Sequence, residues 1–147
     1  MTSLLEHNGI VRRFEILPHT ADVAVAVYGE SVSDLFANAA SALFELMFEM
    51  DSPRLGPTVR VEATGDGLEE LLVAWLSELL AIAEVDGVAL ADFEVTVTGD
   101  NKAAGSATAI PVEDLVMAGT PIKAVTYHEL RVREVGGIWT ATIVFDV

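Results

Sequence analysis

The chain contains no cysteine among its 147 residues. Disulfides, iron–sulfur clusters and zinc sites held by thiolates are therefore excluded, and the composition fits a reducing cytoplasm. Basic residues are also scarce, since 8 Lys and Arg stand against 23 Asp and Glu and give a formal net charge of −15. This charge repels phosphate backbones, so we expect no strong direct binding to nucleic acid. It would suit a basic protein partner or cations, or would simply keep a hydrophobic chain soluble.

Long apolar runs are absent although 52% of the residues are hydrophobic. No uncharged stretch approaches the roughly 20 residues that a membrane-spanning helix requires. The first residues, Met1 to His7, lack a basic segment followed by an apolar one, so no signal peptide is expected. These absences predict a cytoplasmic protein with no membrane association.

Two segments have the apolar spacing of helices, Ser31 to Met50 and Gly67 to Asp86. Ser31 is a good N-cap for the first helix, whose apolar residues lie on more than one side and predict cover by more than one layer. The second helix follows Asp66-Gly-Leu-Glu69, which resembles a capping box. Gly87 is a natural C-cap for it.

Alternating and β-branched residues predict strands around these helices. The predicted strands are Val11 to Leu17, Asp22 to Tyr28, Val59 to Thr64, Phe93 to Thr98, Lys102 to Ile110, Ile122 to Val135 and Ile138 to Val147. Residues 111–121 show no period that assigns them to an element. The order favours an α+β two-layer sandwich, with two main helices against a largely antiparallel sheet. One strand–helix–strand–strand unit would be nested inside another.

Gly136-Gly137 predicts a two-residue hairpin between the last two strands. A simple hairpin of this kind pairs Tyr127 with Asp146 and His128 with Phe145. His128 would then join an apolar face, while Asp146 would lie on the opposite face. A single bulge would change this register.

Two aspartates stand at the predicted ends of strands, Asp22 and the penultimate Asp146. Together with the terminal carboxylate of Val147, they would give the oxygen ligands that calcium or magnesium takes. Alternatively, Asp22 is a turn residue that accepts hydrogen bonds from nearby backbone amides.

Three further polar residues allow a functional or a structural interpretation. His19 precedes Asp22 by three residues and either acts as a general base, as in a metal-dependent hydrolase using Asp22 and Asp146, or stabilises a turn. His128 is either a ligand or a core or rim histidine. Lys123, one of two lysines, either contacts a partner or forms a plain salt bridge. A chaperone-like module is a further alternative, with an exposed apolar surface around Phe44 and Phe48.

Several motifs resemble the archease family in order and spacing, from about Arg12 to the last residue. They are Pro18-His-Thr-Ala-Asp-Val23, Asn38-Ala-Ala-Ser-Ala-Leu43, Leu71-Leu-Val-Ala-Trp-Leu-Ser-Glu-Leu79, Ile122-Lys-Ala-Val-Thr-Tyr-His128 and the ending Phe145-Asp-Val147. The resemblance implies a single domain over residues 1–147, with residues 1–11 as a flexible N-terminal extension. It also implies the nested fold that the order of elements suggests.

The resemblance implies an accessory protein with no activity of its own. Its partner would be the GTP-dependent RNA-splicing ligase that joins 3′-phosphate or 2′,3′-cyclic-phosphate ends to 5′-hydroxyl ends, as in tRNA splicing. It would promote guanylylation of the ligase's histidine and multiple turnover. A divalent cation (Ca²⁺, or Mg²⁺ or Mn²⁺) would bind Asp22, Asp146 and Val147. The chain departs from the family pattern at Ala109 to Met117, which is apolar around Glu113 and Asp114 and has no histidine.

Overall fold

The structure is a computed structural model and describes residues 6–7, 10–11, 13–17, 22–50, 55–119 and 121–147. Its elements follow one another as β1 (Glu6–His7), β2 (Ile10–Val11), β3 (Phe14–Leu17), β4 (Val23–Gly29), α1 (Val32–Met47), β5 (Thr58–Thr64), α2 (Leu68–Asp86), β6 (Val88–Thr98), β7 (Lys102–Pro111), a short 3₁₀ helix (Val112–Asp114), β8 (Ala124–Thr126), β9 (Val132–Val135) and β10 (Ile138–Asp146). Strands β1 and β2 pair with each other in a two-stranded sheet.

Helix α1 begins as predicted. The Ser31 hydroxyl accepts a hydrogen bond from the backbone N–H of Asp34 at 3.0 Å, and the Asp34 carboxylate accepts one from the backbone N–H of Glu30 at 2.9 Å. The first bond satisfies a donor that the first turn leaves unpaired, and the second ties the residue before the N-cap to the helix. The helix ends at Met47 rather than at Met50, because Phe48 adopts an extended conformation.

Helix α2 also confirms the prediction, with Gly87 as a left-handed C-cap at φ 65°. Its N-terminus differs in detail from the predicted capping box. Glu70, not Glu69, accepts a hydrogen bond from the backbone N–H of Asp66, at 2.6 Å. Glu69 instead accepts one from the backbone N–H of Val132 at 2.8 Å and so ties α2 to β9. Within the described parts of the chain, no helix is both long and apolar enough to cross a membrane.

The first sheet has β10 at its centre. On one side β10 pairs with β4, which pairs with β3. On the other side β10 pairs with two short strands in turn, β9 along Ile138 to Ala141 and β8 along Val144 to Asp146. All of these pairs are antiparallel. The predicted single strand from Ile122 to Val135 is therefore wrong, because it is divided into β8 and β9.

A turn between β8 and β9 causes this division. Glu129 has a left-handed backbone at φ 58°, and the Leu130 N–H donates to the Tyr127 carbonyl at 3.1 Å. The hairpin begins in the predicted register, with Val135 opposite Ile138, but beyond the turn Ala124 rather than Tyr127 lies opposite Asp146. The predicted pairing of His128 with Phe145 is wrong for the same reason, since His128 lies in the turn.

The second sheet contains the nested unit, with strand order β5–β7–β6. Strand β6 begins at Val88, earlier than the predicted Phe93, because an irregularity between Ala91 and Glu94 interrupts its alternation. Asp92 takes a left-handed conformation there, at φ 54°. This is the pattern of a β-bulge, which shifts side chains from one face of a strand to the other.

The hydrophobic core lies around the two helices. Helix α1 contacts β4 of the first sheet and β6 of the second, whereas α2 contacts β5, β6 and β8. Helix α1 is thus covered by both sheets, as its apolar residues predict. The largest fully buried side chains are Trp75, Phe36, Phe44, Phe145, Leu35, Leu43, Leu71, Leu72, Leu76, Leu79, Leu90 and Ile143. This arrangement confirms the predicted α+β class, with the antiparallel strands divided between sheets.

The segment that the sequence does not assign lies against the end of α1. After the 3₁₀ helix, the Ala118 N–H donates to the Met47 carbonyl at 2.8 Å, and the Val116 carbonyl accepts from the Glu49 N–H at 2.9 Å. Phe48 and Met117 form an isolated antiparallel bridge between these two bonds. Main-chain bonds hold this segment in place, which explains why its side chains show no period.

Candidate functional site

The two candidate aspartates lie at the same end of the first sheet. In the antiparallel pair of β10 and β4, Phe145 lies opposite Val23. Asp146 follows Phe145 along the chain, and Asp22 precedes Val23. Continued by one step, this antiparallel register places Asp22 opposite Asp146. Residues directly opposite each other have Cβ atoms about 4.5–5.5 Å apart and share a face. The fold therefore gives the two carboxylates neighbouring positions.

Burial of the neighbouring residues decides which face Asp146 occupies. Phe145 is fully buried and belongs to the hydrophobic core. Because successive side chains of a strand point to opposite faces, Asp146 is directed away from the core, and it is exposed. Asp22 is half-buried. The prediction that Asp146 lies on the face opposite Phe145 is confirmed.

Lys123 contacts Asp146 from the side of β10 that is opposite to β4. Its backbone N–H donates to the Asp146 carbonyl at 2.8 Å, and the following residue, Ala124, is opposite Asp146 in the register. The Lys123 side chain is exposed and lines a cleft beside α2. The backbone of Lys123 thus supports the position of Asp146.

The other predicted residues differ in their positions. His128 is exposed, its Nε2 lies 3.3 Å from Glu129 Oε1, and its backbone N–H donates to the Thr126 hydroxyl at 3.2 Å. The prediction of a core or rim histidine beside Phe145 is therefore wrong. Val147 is half-buried and packs against the core, which fixes the residue after Asp146. His19 lies outside the described residues.

The donors at this strand end suit a hard cation. Among the residues that the structure describes, no three His, Asp or Glu side chains lie close enough to hold a metal ion. The available donors are the two carboxylates, together with main-chain oxygens such as those of Val147. Magnesium commonly binds through one or two carboxylates and keeps further positions for water or phosphate. The residues present fit that kind of site, with Asp22 and Asp146 as its anchors.

The apolar surface predicted around Phe44 and Phe48 does not exist at Phe44. That side chain is fully buried and stacks on Phe93, with ring centroids 6.0 Å apart. Phe48 is half-buried. The prediction was wrong at Phe44 because α1 is covered by both sheets, so its second apolar stripe also faces protein.

A cleft of about 350 Å³ is a feature that sequence reasoning did not find. It lies between the ends of α1 and α2, the 3₁₀ helix and the segment before β8. Its lining residues are Met47, Phe48, Leu80, Ala83, Glu84, Val88, Val112, Pro121, Ile122 and Lys123. The one signal in the sequence was the apolar segment at 111–121, which has no helical or strand period of its own.

Fold and site together define a class of protein. This chain nests one strand–helix–strand–strand unit inside another, and its central strand β10 ends at Asp146, opposite the residue that precedes β4, Asp22. The model of the Archease protein family (MTH1598/TM1083) matches residues 14–147. The chain belongs to the archease family.

Individual relatives agree with this assignment. The chain is 38% identical to protein archease of Methanopyrus kandleri over 91% of this chain and 99% of the relative. It is 37% identical to protein archease of Methanosarcina mazei over 92% and 97%, respectively.

Two solved structures are similar in fold. The solution structure of Methanobacterium thermoautotrophicum protein 1598 superposes with a TM-score of 0.81, at 29% identity, covering 92% of this chain and 99% of that one. The crystal structure of a Thermotoga maritima archease, described as a possible chaperone, gives a TM-score of 0.63 at 22% identity, covering 89% and 94%.

Proposed function

We propose that this protein activates a GTP-dependent RNA-splicing ligase, promoting guanylylation of the ligase's active-site histidine and repeated turnover. The ligase would join 3′-phosphate or cyclic-phosphate ends to 5′-hydroxyl ends, as in the splicing of tRNA halves. The observation that carries the proposal is the register that places Asp22 opposite Asp146 at the end of the central strand. Both residues lie in motifs through which the chain resembles the archease family.

The site acts in this proposal by positioning and by charge. When bound, a divalent cation would neutralise phosphate charge. Asp22, Asp146 and a main-chain oxygen of Val147 would hold it. Asp146 is exposed, so it reaches a partner's surface without rearrangement of the core. Phe145 and Val147 pack inward on either side and hold its backbone in place. This chain's contribution is a rigid, carboxylate-bearing strand end.

The net charge of −15 favours action through a protein partner rather than on RNA directly. Opposite charge on a basic ligase cleft would accelerate and orient the encounter. Free RNA would be repelled, since its phosphates carry the same sign as this surface. RNA and nucleotide would therefore be bound by the ligase in its cytoplasmic complex with this protein.

The experiment is a ligation assay with the cognate ligase in limiting amount, with and without this protein. We expect one round of joining without it and many rounds with it. Lys123→Ala should reduce the stimulation only in part, because the Lys123 backbone rather than its side chain contacts Asp146. The protein alone should show no ligase, nuclease or phosphatase activity. Phosphoester turnover by the purified protein would contradict the proposal and favour the hydrolase that uses His19 as base.

A further inference from the structure

We propose that the cleft between the ends of α1 and α2 is a docking site for a basic, amphipathic segment of a partner protein. Neither Asp22 nor Asp146 lines the cleft, and the inference needs no metal. Its floor is apolar, with Phe48, Leu80 and Ile122 among the lining residues, and about 350 Å³ is open to an incoming side chain. This volume is at the lower end of the range for small ligand sites and suits one or two anchoring side chains.

Exposed apolar residues extend the cleft outwards. Met117, in the isolated bridge with Phe48, is 50% exposed, and its neighbour Val116 is 63% exposed. Apolar side chains exposed beside an apolar cleft are the composition of an interaction surface. An occupant would therefore bury area on the rim as well as in the cleft.

Charge on the rim selects a basic occupant. The segments that form the cleft carry five exposed carboxylates, at Glu49, Glu84, Asp86, Glu113 and Asp114, against one cation among the lining residues, Lys123. Helices α1 and α2 both end here, and neither has a basic residue in its last turn. The C-terminal end of a helix carries partial negative charge and favours cations. Lys and Arg beside an apolar anchor would complement this rim.

The same charges disfavour other occupants. A second copy of this chain would bring 23 acidic and only 8 basic residues, so like charges would meet at the rim. Nucleic acid and anionic membranes carry the wrong sign. A basic amphipathic helix combines the apolar stripe with flanking Lys and Arg, and an apolar groove is a common receptor for one.

The test uses the full chain and a labelled synthetic peptide of about five helical turns. The probe carries Leu and Phe at helical i, i+3, i+4 and i+7 spacing with Lys and Arg on both flanks. A matched peptide has Glu in place of every Lys and Arg. Binding is measured by fluorescence anisotropy at physiological salt. We expect saturable binding of the basic peptide and at least about tenfold weaker binding of the acidic one.

Variants locate the site. Ala83→Trp fills the cleft, and Glu84→Lys reverses the rim charge; each should weaken basic-peptide binding by about tenfold or more. Ala81→Trp and Glu78→Lys make the same changes at exposed positions of α2 outside the cleft and should bind like wild type. Thermal unfolding identifies any variant that fails to fold. The double variant Asp22→Asn, Asp146→Asn should retain peptide affinity, which separates this inference from the proposed function.

Three results would overturn the inference. One is the absence of saturable binding up to about millimolar peptide, which is the weak end of specific recognition. Another is equal binding by the cleft variants and their controls, which would mean general attraction between opposite charges. The last is a wild-type dimer that Ala83→Trp dissociates in sedimentation, because the occupant would then be a second copy.

Discussion

Asp146→Asn should weaken binding of Mg²⁺ or Ca²⁺ by at least about tenfold, or about 1.4 kcal/mol. The substitution keeps the size of the side chain but removes the exposed charge next to Asp22. Two carboxylates anchor the proposed site, so loss of either should lower affinity strongly, and Asp22→Asn should have a similar effect. Isothermal titration calorimetry with each metal measures the change.

Asp100→Asn is the matched control for this experiment. Asp100 is exposed in the turn between β6 and β7, in the second sheet, and its substitution changes the net charge equally. We expect its metal affinity to equal that of the wild type. Equal losses in Asp100→Asn and Asp146→Asn would show that metal follows overall charge, and the strand-end site would then be wrong.

Phe36→Ala should cost about 3–5 kcal/mol in the free energy of unfolding, as expected for a large side chain removed from a closed core. Phe36 is fully buried on α1, which both sheets cover. Its neighbours are held by two sheets and have little freedom to close the cavity. In a domain of this size the melting temperature should fall by about 6–20 °C. Chemical denaturation with urea gives the free energy directly.

Phe93→Ala is the control for this comparison. Phe93 is half-buried in β6 and stacks on Phe44 from one side. Truncation of Phe93 leaves a more open space. The loss in free energy of unfolding should therefore be clearly smaller for Phe93→Ala than for Phe36→Ala. If the two variants lose equal stability, α1 does not lie in a closed layer between the sheets.

The sequence predicted the helices well because their signals are local. The Ser31 N-cap of α1, the Gly87 C-cap of α2 and the helical spacing of apolar residues each depend on residues a few positions apart along the chain. The hairpin at Gly136-Gly137 was predicted correctly for the same reason, and Val135 lies opposite Ile138. Even the nesting of the two units follows from the order of elements.

Non-local features were not predictable in the same way. The left-handed backbone at Glu129 divides the predicted strand, yet Glu has no intrinsic preference for that conformation, and nothing nearby in the sequence marks it. This turn moved His128 out of the apolar face and put Ala124 opposite Asp146. The cleft is less predictable still, because it forms only where the ends of α1 and α2 meet the 3₁₀ helix and the segment before β8.

The candidate site was partly predictable from Asp22 and Asp146. A charged residue one position beyond Phe145 must face away from the core if the strand alternates, and it does. The pairing of Asp22 with Asp146 depends instead on β4 lying beside β10. Strand order is a property of the whole fold, so the motifs predicted which residues matter but not their neighbours.

Guanylylation of the cognate ligase's histidine tests the central claim most directly. Ligase and labelled GTP are incubated with Mg²⁺ or Mn²⁺ and with wild-type protein, Asp100→Asn, or the double variant Asp22→Asn, Asp146→Asn, and covalent labelling is followed in time. The account predicts that wild type and Asp100→Asn accelerate labelling equally, while the folded double variant leaves it at the rate of ligase alone. Equal acceleration by the double variant would contradict presentation of a cation by the strand end and would favour a purely conformational role.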